Sequence, residues 1–482
     1  MARRSIVTSV RADNREAAVG AIAALPPGPD PIELRADRLS ADEVAAVVSG
    51  TERELIVTVR RTVDGGSFDG DEKTRHGILA AALAAGARWV DVEWGSELAV
   101  LAEGADAGRV ILSDHGATCE TRELERRVEA MSSSGAARLK IVAPAERPAQ
   151  ILAIRDLLRR RSDDRLCAFA MGASGALSRV LAPQWGSWGT YASAVAGAET
   201  APGQFSAAQL RDSFDVLSIG EATRIVALVG REILPTSPSP AMHNAGYDAL
   251  DMDRVYVPLQ TAHWEDAVEL ADALGLAGLA VTMPFKGDAA GHVSSCDDLS
   301  ASAHAVNTIV YGENGSSGSN TDGPAAVALM EARGLEKTDR VDVLGAGGTG
   351  RAIATALAQR GIDVGLWSRE AGPSIATRPA IERRTHDERR PGESHWLVNT
   401  TPRRDDTLIG CGPPARRGVL EAIYGTSPTS LVLRGREAGL QVIDGLELLV
   451  AQAELQFERH TGRKPPSGLF AAVGQRHIDS LG

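Results

Sequence analysis

The chain has 482 residues, too many for one hydrophobic core, so two or more domains are expected. A hydrophobic fraction of 43% with 24% charged residues is ordinary for a globular protein, which sets aside fibrous and disordered classes. The formal charge of -12 argues against a general nucleic-acid surface but leaves anionic small substrates open, because a few arginines aimed into a pocket outweigh a distant negative surface.

The chain opens on Met1-Ala-Arg-Arg-Ser-Ile-Val-Thr-Ser-Val10, whose apolar run is too short for a signal peptide. No later segment reaches transmembrane length, so a cytoplasmic protein with no membrane partner is expected. Strand-like runs then recur at 5–10, 32–37, 55–60, 89–93, 109–115, 138–143, 166–171 and 190–196. Stretches with helical spacing lie between them, at 42–48, 72–85, 120–132 and 147–161. Such alternation predicts a (β/α)8 TIM barrel with its chemistry at the C-terminal strand ends. The eighth unit is the least regular, and a count of seven strands stays open.

The polar residues at those strand ends carry the information. Glu33 and Arg35 stand two apart in an apolar strand and so share a face. Arg60, then Asp91 with Glu93, then His115 close the next runs, and Lys140 stands inside the sixth between Leu139 and Ile141. Each alone reads equally well as an ion pair at the barrel mouth. A lysine in a core strand is harder to treat so: burial and neighbouring arginines would favour the neutral amine, which forms imines.

With these residues in view, the first half, about 215 residues, resembles the type I 3-dehydroquinate dehydratases. The shared motifs are Glu33-Leu-Arg35-Ala-Asp37, Thr58-Val-Arg60 with Asp64-Gly-Gly66, Ser113-Asp-His115, Lys140-Ile-Val-Ala, Met171-Gly172 with Ser178-Arg179, and Ala201-Pro-Gly-Gln204. The resemblance implies that Lys140 forms a Schiff base with a ring ketone and that His115 moves the protons. It further implies that Ser9 contacts substrate, that Glu33, Arg35 and Arg60 hold ring hydroxyls and tune the base, that Arg179 binds a carboxylate, and that Thr200 and Gln204 reach in from the last loop. Thr200 stands where Ser is usual and keeps the hydroxyl.

Residues 214–224 join the halves without a Pro- or Ser-rich tether. A strand at 225–229 leads into Leu234-Pro-Thr-Ser-Pro-Ser-Pro-Ala-Met-His-Asn244, and a buried strand follows in Leu279-Ala-Val-Thr-Met-Pro-Phe-Lys286. Arg340-Val-Asp-Val-Leu344 then runs into Gly345-Ala346-Gly347-Gly348-Thr349-Gly350 and a helix over 351–359, with another strand at 362–367. Strand, Gly-x-Gly-x-x-Gly and helix form the arrangement that sets a pyrophosphate on a helix N-terminus, so a Rossmann dinucleotide fold is expected. The second strand ends in Ser368-Arg369 where NAD sites place an acid, which points to NADP; Glu370 beside it is unfavourable to a phosphate.

These features, with Asn307-Thr308, Asn320-Thr-Asp322-Gly, Val398-Asn399-Thr400, Tyr424, Asp444-Gly445 and Gln452, resemble the shikimate dehydrogenases over about 224–480. By that resemblance Ser237, Ser239 and Tyr424 bind the substrate carboxylate, while Thr282, Asn307 and Gln452 hold ring hydroxyls. Lys286 and Asp322 are the implied proton-transferring pair, and the 345–350 turn, Ser368, Arg369, Asn399, Thr400 and Gly445 surround the cofactor. Ala280, Thr426 and Leu448 depart from the pattern without removing a proton-transfer group.

The implied domains are 1–219, a dehydratase barrel; 223–324, a substrate domain; and 325–482, a Rossmann domain whose last helices (about 445–482) return to the substrate domain. The implied reactions are consecutive, dehydration of 3-dehydroquinate and NADPH-dependent reduction of 3-dehydroshikimate, so the partners expected are small cyclic acids. A quinate dehydrogenase, a class I aldolase and a non-catalytic regulator are the rival readings; the last should have lost Lys140, His115, Lys286 or Asp322. No metal is expected: Cys119, Cys167, Cys296 and Cys411 are widely spaced, as in a reducing compartment.

Overall fold

The computed structural model describes residues 4–161, 163–195, 197, 199–201, 203–233, 237–370, 372–375, 381–390, 392–410 and 412–481. They form two compact units, Met1–Thr223 and Arg224–Gly482. The first contains eight strands: β1 (Ser5–Arg11), β2 (Ile32–Arg35), β3 (Leu55–Thr58), β4 (Trp89–Glu93), β5 (Val110–Asp114), β6 (Arg138–Pro144), β7 (Leu166–Met171) and β8 (Gly189–Ser193). All pair in parallel, in the order β7-β6-β5-β4-β3-β2-β1-β8. The Trp188 N–H just ahead of β8 donates to the Leu166 carbonyl at the start of β7 (3.1 Å), so the sheet curls almost shut.

Among the described residues the strand count is eight, since β8 lies against β1 from Ser5↔Gly189 to Ser9↔Ser193. Every residue of β2, β3, β5 and β8 is buried, as a barrel strand requires when helices cover one face and the interior is filled. β3 ends at Thr58 and β5 at Asp114, two and one residues short of the ends that the sequence pattern predicts. At those ends side-chain acceptors replace the neighbouring strand: the Arg60 N–H donates to Asp37 (2.9 Å) and the Gly116 N–H to Asp114 (2.8 Å).

The second unit holds two sheets. One, ordered β10-β9-β11-β13-β14-β12, contains β9 (Arg224–Gly230), β10 (Arg254–Gln260), β11 (Gly278–Val281), β12 (Ser295–Cys296), β13 (Thr308–Gly312) and β14 (Gly315–Ser319). The other comprises β15 (Arg340–Leu344), β16 (Asp363–Ser368), β17 (Gly372–Ile375), β18 (Ile381–Thr385), β19 (Trp396–Asn399), β20 (Gly418–Glu421) and β21 (Gln441–Ile443). Its order, β17-β18-β16-β15-β19-β20-β21, reverses at β15, and the crevice beyond such a switch point is where doubly wound sheets take ligands.

The helix after β15 is Gly348–Gln359, beginning three residues before the expected start, with Gly347 as its cap. Helix Gly445–Thr461 ties the two sheets together: Leu448 packs into the core of the seven-stranded sheet with Val398 and Ile443, while Phe457 stacks on Tyr247 (5.1 Å) beside the six-stranded one. Among the described residues no helix is long and apolar enough to cross a membrane, and no cluster of His, Cys, Asp and Glu could hold a metal.

Candidate active sites

The barrel interior is polar because strands of matched register place one polar side chain after another on its inner face. Ser9 on β1 and Thr58 on β3 donate to the two oxygens of Glu33 on β2 (2.5 and 2.9 Å). Arg60 forks, one nitrogen to Asp91 (2.7 Å) and the other to Glu93 (2.7 Å) and Ser113 (3.2 Å). Lys140 on β6, 3% exposed, donates to Asp91 (2.8 Å), with Glu33 at 3.8 Å. The group in contact with the amine is thus a carboxylate and not the arginine expected from the sequence, because Arg60 is itself turned onto Asp91 and Glu93. Lys140 and Arg60 hold the Asp91 carboxyl far below the ordinary carboxylate range despite its burial.

These groups border a cavity of about 450 Å³ lined by Ser9, Glu33, Arg35, Arg60, His115, Lys140, Arg179, Thr200 and Gln204, so every expected residue of the first half converges there. Arg35 is steadied by Asp37 (2.8 Å), and Gln204 accepts the Thr200 N–H (2.8 Å) and hydroxyl (3.1 Å). Burial first, then the positive charges of Arg60 and Lys140, push the His115 imidazole well below its usual range, which leaves it neutral and able to take a proton. Arg179 is 1% exposed and packs over the Phe169 ring (4.4 Å), with no carboxylate in salt-bridge contact among the described residues. Burial lowers it to about 10. A buried, unpaired guanidinium is costly unless an anion arrives to meet it.

In the second unit Lys286 and Asp322 stand at the N-termini of helices Lys286–His292 and Asp322–Glu331 and meet at 2.5 Å. The other Asp322 oxygen accepts from the Asn307 amide (2.9 Å), and the Asp322 N–H donates to Asn320 (2.9 Å). Asn307 is held in turn by the Thr321 N–H (2.9 Å), and its carbonyl accepts from Gln456 (3.0 Å). The pair borders a cavity of about 180 Å³, together with Ser237, Ser239, Thr282, Asn307, Tyr424, Gly445 and Gln452. Ser239 begins helix Ser239–Ala249, and its N–H donates to the Ser237 hydroxyl (3.4 Å), which sets the two serines side by side at the cavity. Burial raises the Tyr424 phenol above its ordinary value, against a hydrogen bond with Ser237 that lowers it.

The glycine-rich turn fits a dinucleotide by its spacing to neighbours. Gly345 has φ +101, and a Cβ on Gly350 would lie 1.9 Å from the Gly345 carbonyl, so both are needed to fold the turn. A Cβ on Gly347 would meet nothing within 4 Å, which leaves the open space a pyrophosphate needs. Thr400 straps the turn, its N–H and hydroxyl both donating to the Leu344 carbonyl (2.8 Å each). The Asn399 amide is engaged within the protein, by Glu421 (3.0 and 3.1 Å) and the Arg403 carbonyl (3.2 Å), so its side chain shapes the loop. Ala346 and Gly348 lie in the turn, and Arg369 and Glu370 are exposed just beyond β16.

Asp91, Tyr191, Arg383 and Gln456 lie outside the expected set and touch residues within it. Asp91 was visible as a polar strand end but had no role. Tyr191 presents its ring to Lys140 at 4.3 Å, and Arg383 on β18 donates to Ser368 (2.8 Å). Gln456 supports Asn307 from one turn beyond Gln452. For Tyr191 and Arg383 no local pattern gave a signal, since each acts across strands distant in sequence.

Residues 6–221 match the family profile for type I 3-dehydroquinase, 228–309 the shikimate dehydrogenase substrate binding domain, and 445–472 the shikimate 5'-dehydrogenase C-terminal domain. The chain is 27% identical over 488 residues to the chloroplastic bifunctional 3-dehydroquinate dehydratase/shikimate dehydrogenase of Arabidopsis thaliana, covering 93% of this chain and 80% of that protein. It is 34% identical over 257 residues to the shikimate dehydrogenase (NADP(+)) of Natronomonas pharaonis, covering 50% of this chain and 95% of that one. A solved structure of the dehydroquinate dehydratase and shikimate dehydrogenase from S. pombe aligns with 99% of this chain and 98% of its own, at 25% identity and a TM-score of 0.42.

Proposed function

The chain belongs to the type I 3-dehydroquinase and shikimate dehydrogenase families, one in each half, and on that premise we propose that it dehydrates 3-dehydroquinate and then reduces the product to shikimate with NADPH. The carrying observation for the first step is one cavity lined by a buried lysine, a histidine and a buried guanidinium that meets no carboxylate among the described residues. The substrate carboxylate binds Arg179, and Lys140 condenses with the ring ketone, two of its ammonium protons leaving with the ketone oxygen as water and the third staying on nitrogen as the iminium. His115 takes the adjacent proton; the resulting enamine expels the ring hydroxyl, which leaves as water with the proton His115 returns. Water then hydrolyses the imine and frees Lys140. Glu33, Arg35, Arg60, Ser9, Thr200 and Gln204 orient the ring.

For the second step the substrate carboxylate meets Ser237, Ser239 and Tyr424, with Thr282, Asn307 and Gln452 on ring hydroxyls. The dinucleotide would lie along the 345–350 turn with Ser368, Arg369, Asn399, Thr400 and Gly445 around it, and when bound it supplies hydride to the ketone. Lys286 donates a proton to the forming alkoxide, and Asp322 fixes the direction of the ammonium. Arg369, with Arg383 behind Ser368, supports a 2′-phosphate, in line with the relatives whose names specify NADP(+). The domain limits 1–219, 223–324 and 325–482 and a cytoplasmic setting belong to the same proposal, the latter supported by the scattered cysteines.

The test is a coupled assay from 3-dehydroquinate with NADPH against NADH. Oxidation of NADPH in preference to NADH is expected; no enone absorbance and no cofactor oxidation would refute the reading. Lys140→Ala should abolish dehydration and spare shikimate oxidation, and Asp322→Asn the reverse. Loss of both activities from either change in a folded chain would contradict two separate sites.

A further inference from the structure

Thr349 belongs to the glycine-rich turn, yet its hydroxyl is not free to serve a phosphate. It accepts from Lys286 Nζ (2.8 Å) and donates to Asp322 Oδ2 (3.0 Å), closing a triangle whose third side is the Lys286–Asp322 contact (2.5 Å). Its neighbour Gly348 is shaped by the same lysine: a Cβ there would lie 2.8 Å from Lys286 Cβ and 2.9 Å from its Cδ. Two consecutive residues of the turn therefore hold Lys286, one by making room for the stem and one by bonding the amine.

We propose that Thr349 is a positioning residue for proton transfer and joins the dinucleotide turn and the Lys286–Asp322 pair into one mechanical unit. This rests on the reading of Lys286 as the proton donor. An ammonium has three N–H donors. With Asp322 as its only partner the amine swivels about that single bond, whereas a second bond to Thr349 sets the direction of the third N–H, the one left for the substrate oxygen. The balance is simple: hydride reaches the carbonyl carbon, the third N–H proton reaches the oxygen, and solvent reprotonates Lys286. The same turn begins helix Gly348–Gln359, whose N-terminal N–H groups would hold a pyrophosphate, so a nucleotide that ordered the turn would order the amine with it.

Thr349→Val keeps the shape and removes the hydroxyl; Thr349→Ser restores it. In the full chain Thr349→Val is expected to lower kcat for shikimate oxidation about tenfold, the value of one oriented hydrogen bond. KM for shikimate and the Kd for NADP+, followed by tryptophan fluorescence without turnover, should stay within about threefold, the solvent deuterium isotope effect on kcat should rise, and Thr349→Ser should recover most of the rate. The proposal is overturned if Thr349→Val turns over like the parent, if its loss is accounted for by weaker NADP+ binding, or if Ser fails to rescue. A parent chain that dehydrates 3-dehydroquinate but does not oxidise shikimate overturns the proton-donor reading and this inference together.

Discussion

Asp91→Asn probes the barrel site where its charges are densest. The Asp91 carboxylate is fully buried and takes three hydrogen bonds: Lys140 (2.8 Å) on one oxygen, Arg60 (2.7 Å) and Ser113 (2.7 Å) on the other. The amide keeps the volume but turns one of those acceptors into a donor. Whichever way the amide turns, its neutrality takes a counter-ion from both cations, leaving Lys140 with Glu33 at 3.8 Å and Arg60 with Glu93 and the Ser113 hydroxyl. Breaking a buried pair of this kind costs about 3–5 kcal/mol, and a loss of about 3 kcal/mol in transition-state positioning lowers the rate by roughly 10²-fold. We therefore expect kcat for dehydration to fall by about 10²-fold, with shikimate oxidation by the other unit unchanged as the control for chain integrity. Enone absorbance reads the rate, and borohydride reduction with substrate present reads the imine on Lys140. A variant within twofold of the parent in kcat, with intact trapping, would refute the role given to Asp91.

Arg179→Met should separate stability from activity: removing a buried charge that meets no carboxylate among the described residues stabilises the barrel in urea or leaves it unchanged, while kcat/KM for dehydration drops about 10- to 10²-fold through loss of a charge-assisted bond worth about 1.5–3 kcal/mol. Gly347→Ala and Gly350→Ala separate binding from folding. The first, with open space around its Cβ, should keep its unfolding midpoint and lose NADP+ affinity at least tenfold in a fluorescence titration, whereas the second should lose midpoint as well because its Cβ meets the Gly345 carbonyl. His460, lowered to about 4 by burial, stays neutral in the fold, and its Nε2 shares a hydrogen bond with the Ile309 carbonyl (3.2 Å). Its folded value lies below the unfolded one of 6.5, so its stability contribution is present above pH 6.5 and is lost as pH falls toward 4. That predicts a loss of about 1.6 kcal/mol in urea stability of the second unit from pH 6.5 to pH 5, and a shallower slope in His460→Gln; equal slopes would count against it.

The architecture was legible in local pattern because parallel strands covered on both faces must be apolar throughout, so polar residues such as Glu33, Arg35 and Lys140 stand out against them. The same contrast exposed Lys286 at the end of an apolar strand and the glycines of the 345–350 turn. Strand ends were read one or two residues long at Arg60 and His115, since side-chain capping by Asp37 and Asp114 leaves no periodic trace.

What the amino-acid sequence determined by itself was therefore the parts: a barrel, a dinucleotide fold, and the lysines, histidine and acids able to move protons. Partnership was decided only by tertiary structure. It set Asp91 rather than an arginine on Lys140, left Arg179 without a counter-ion among the described residues, and placed the Thr349 hydroxyl on the Lys286–Asp322 pair. The physical reason is range. Periodicity and turn chemistry act over a few residues along the chain, whereas a charge in a low-dielectric interior answers to whichever groups the strand register and the helix ends bring within about 3–4 Å of it.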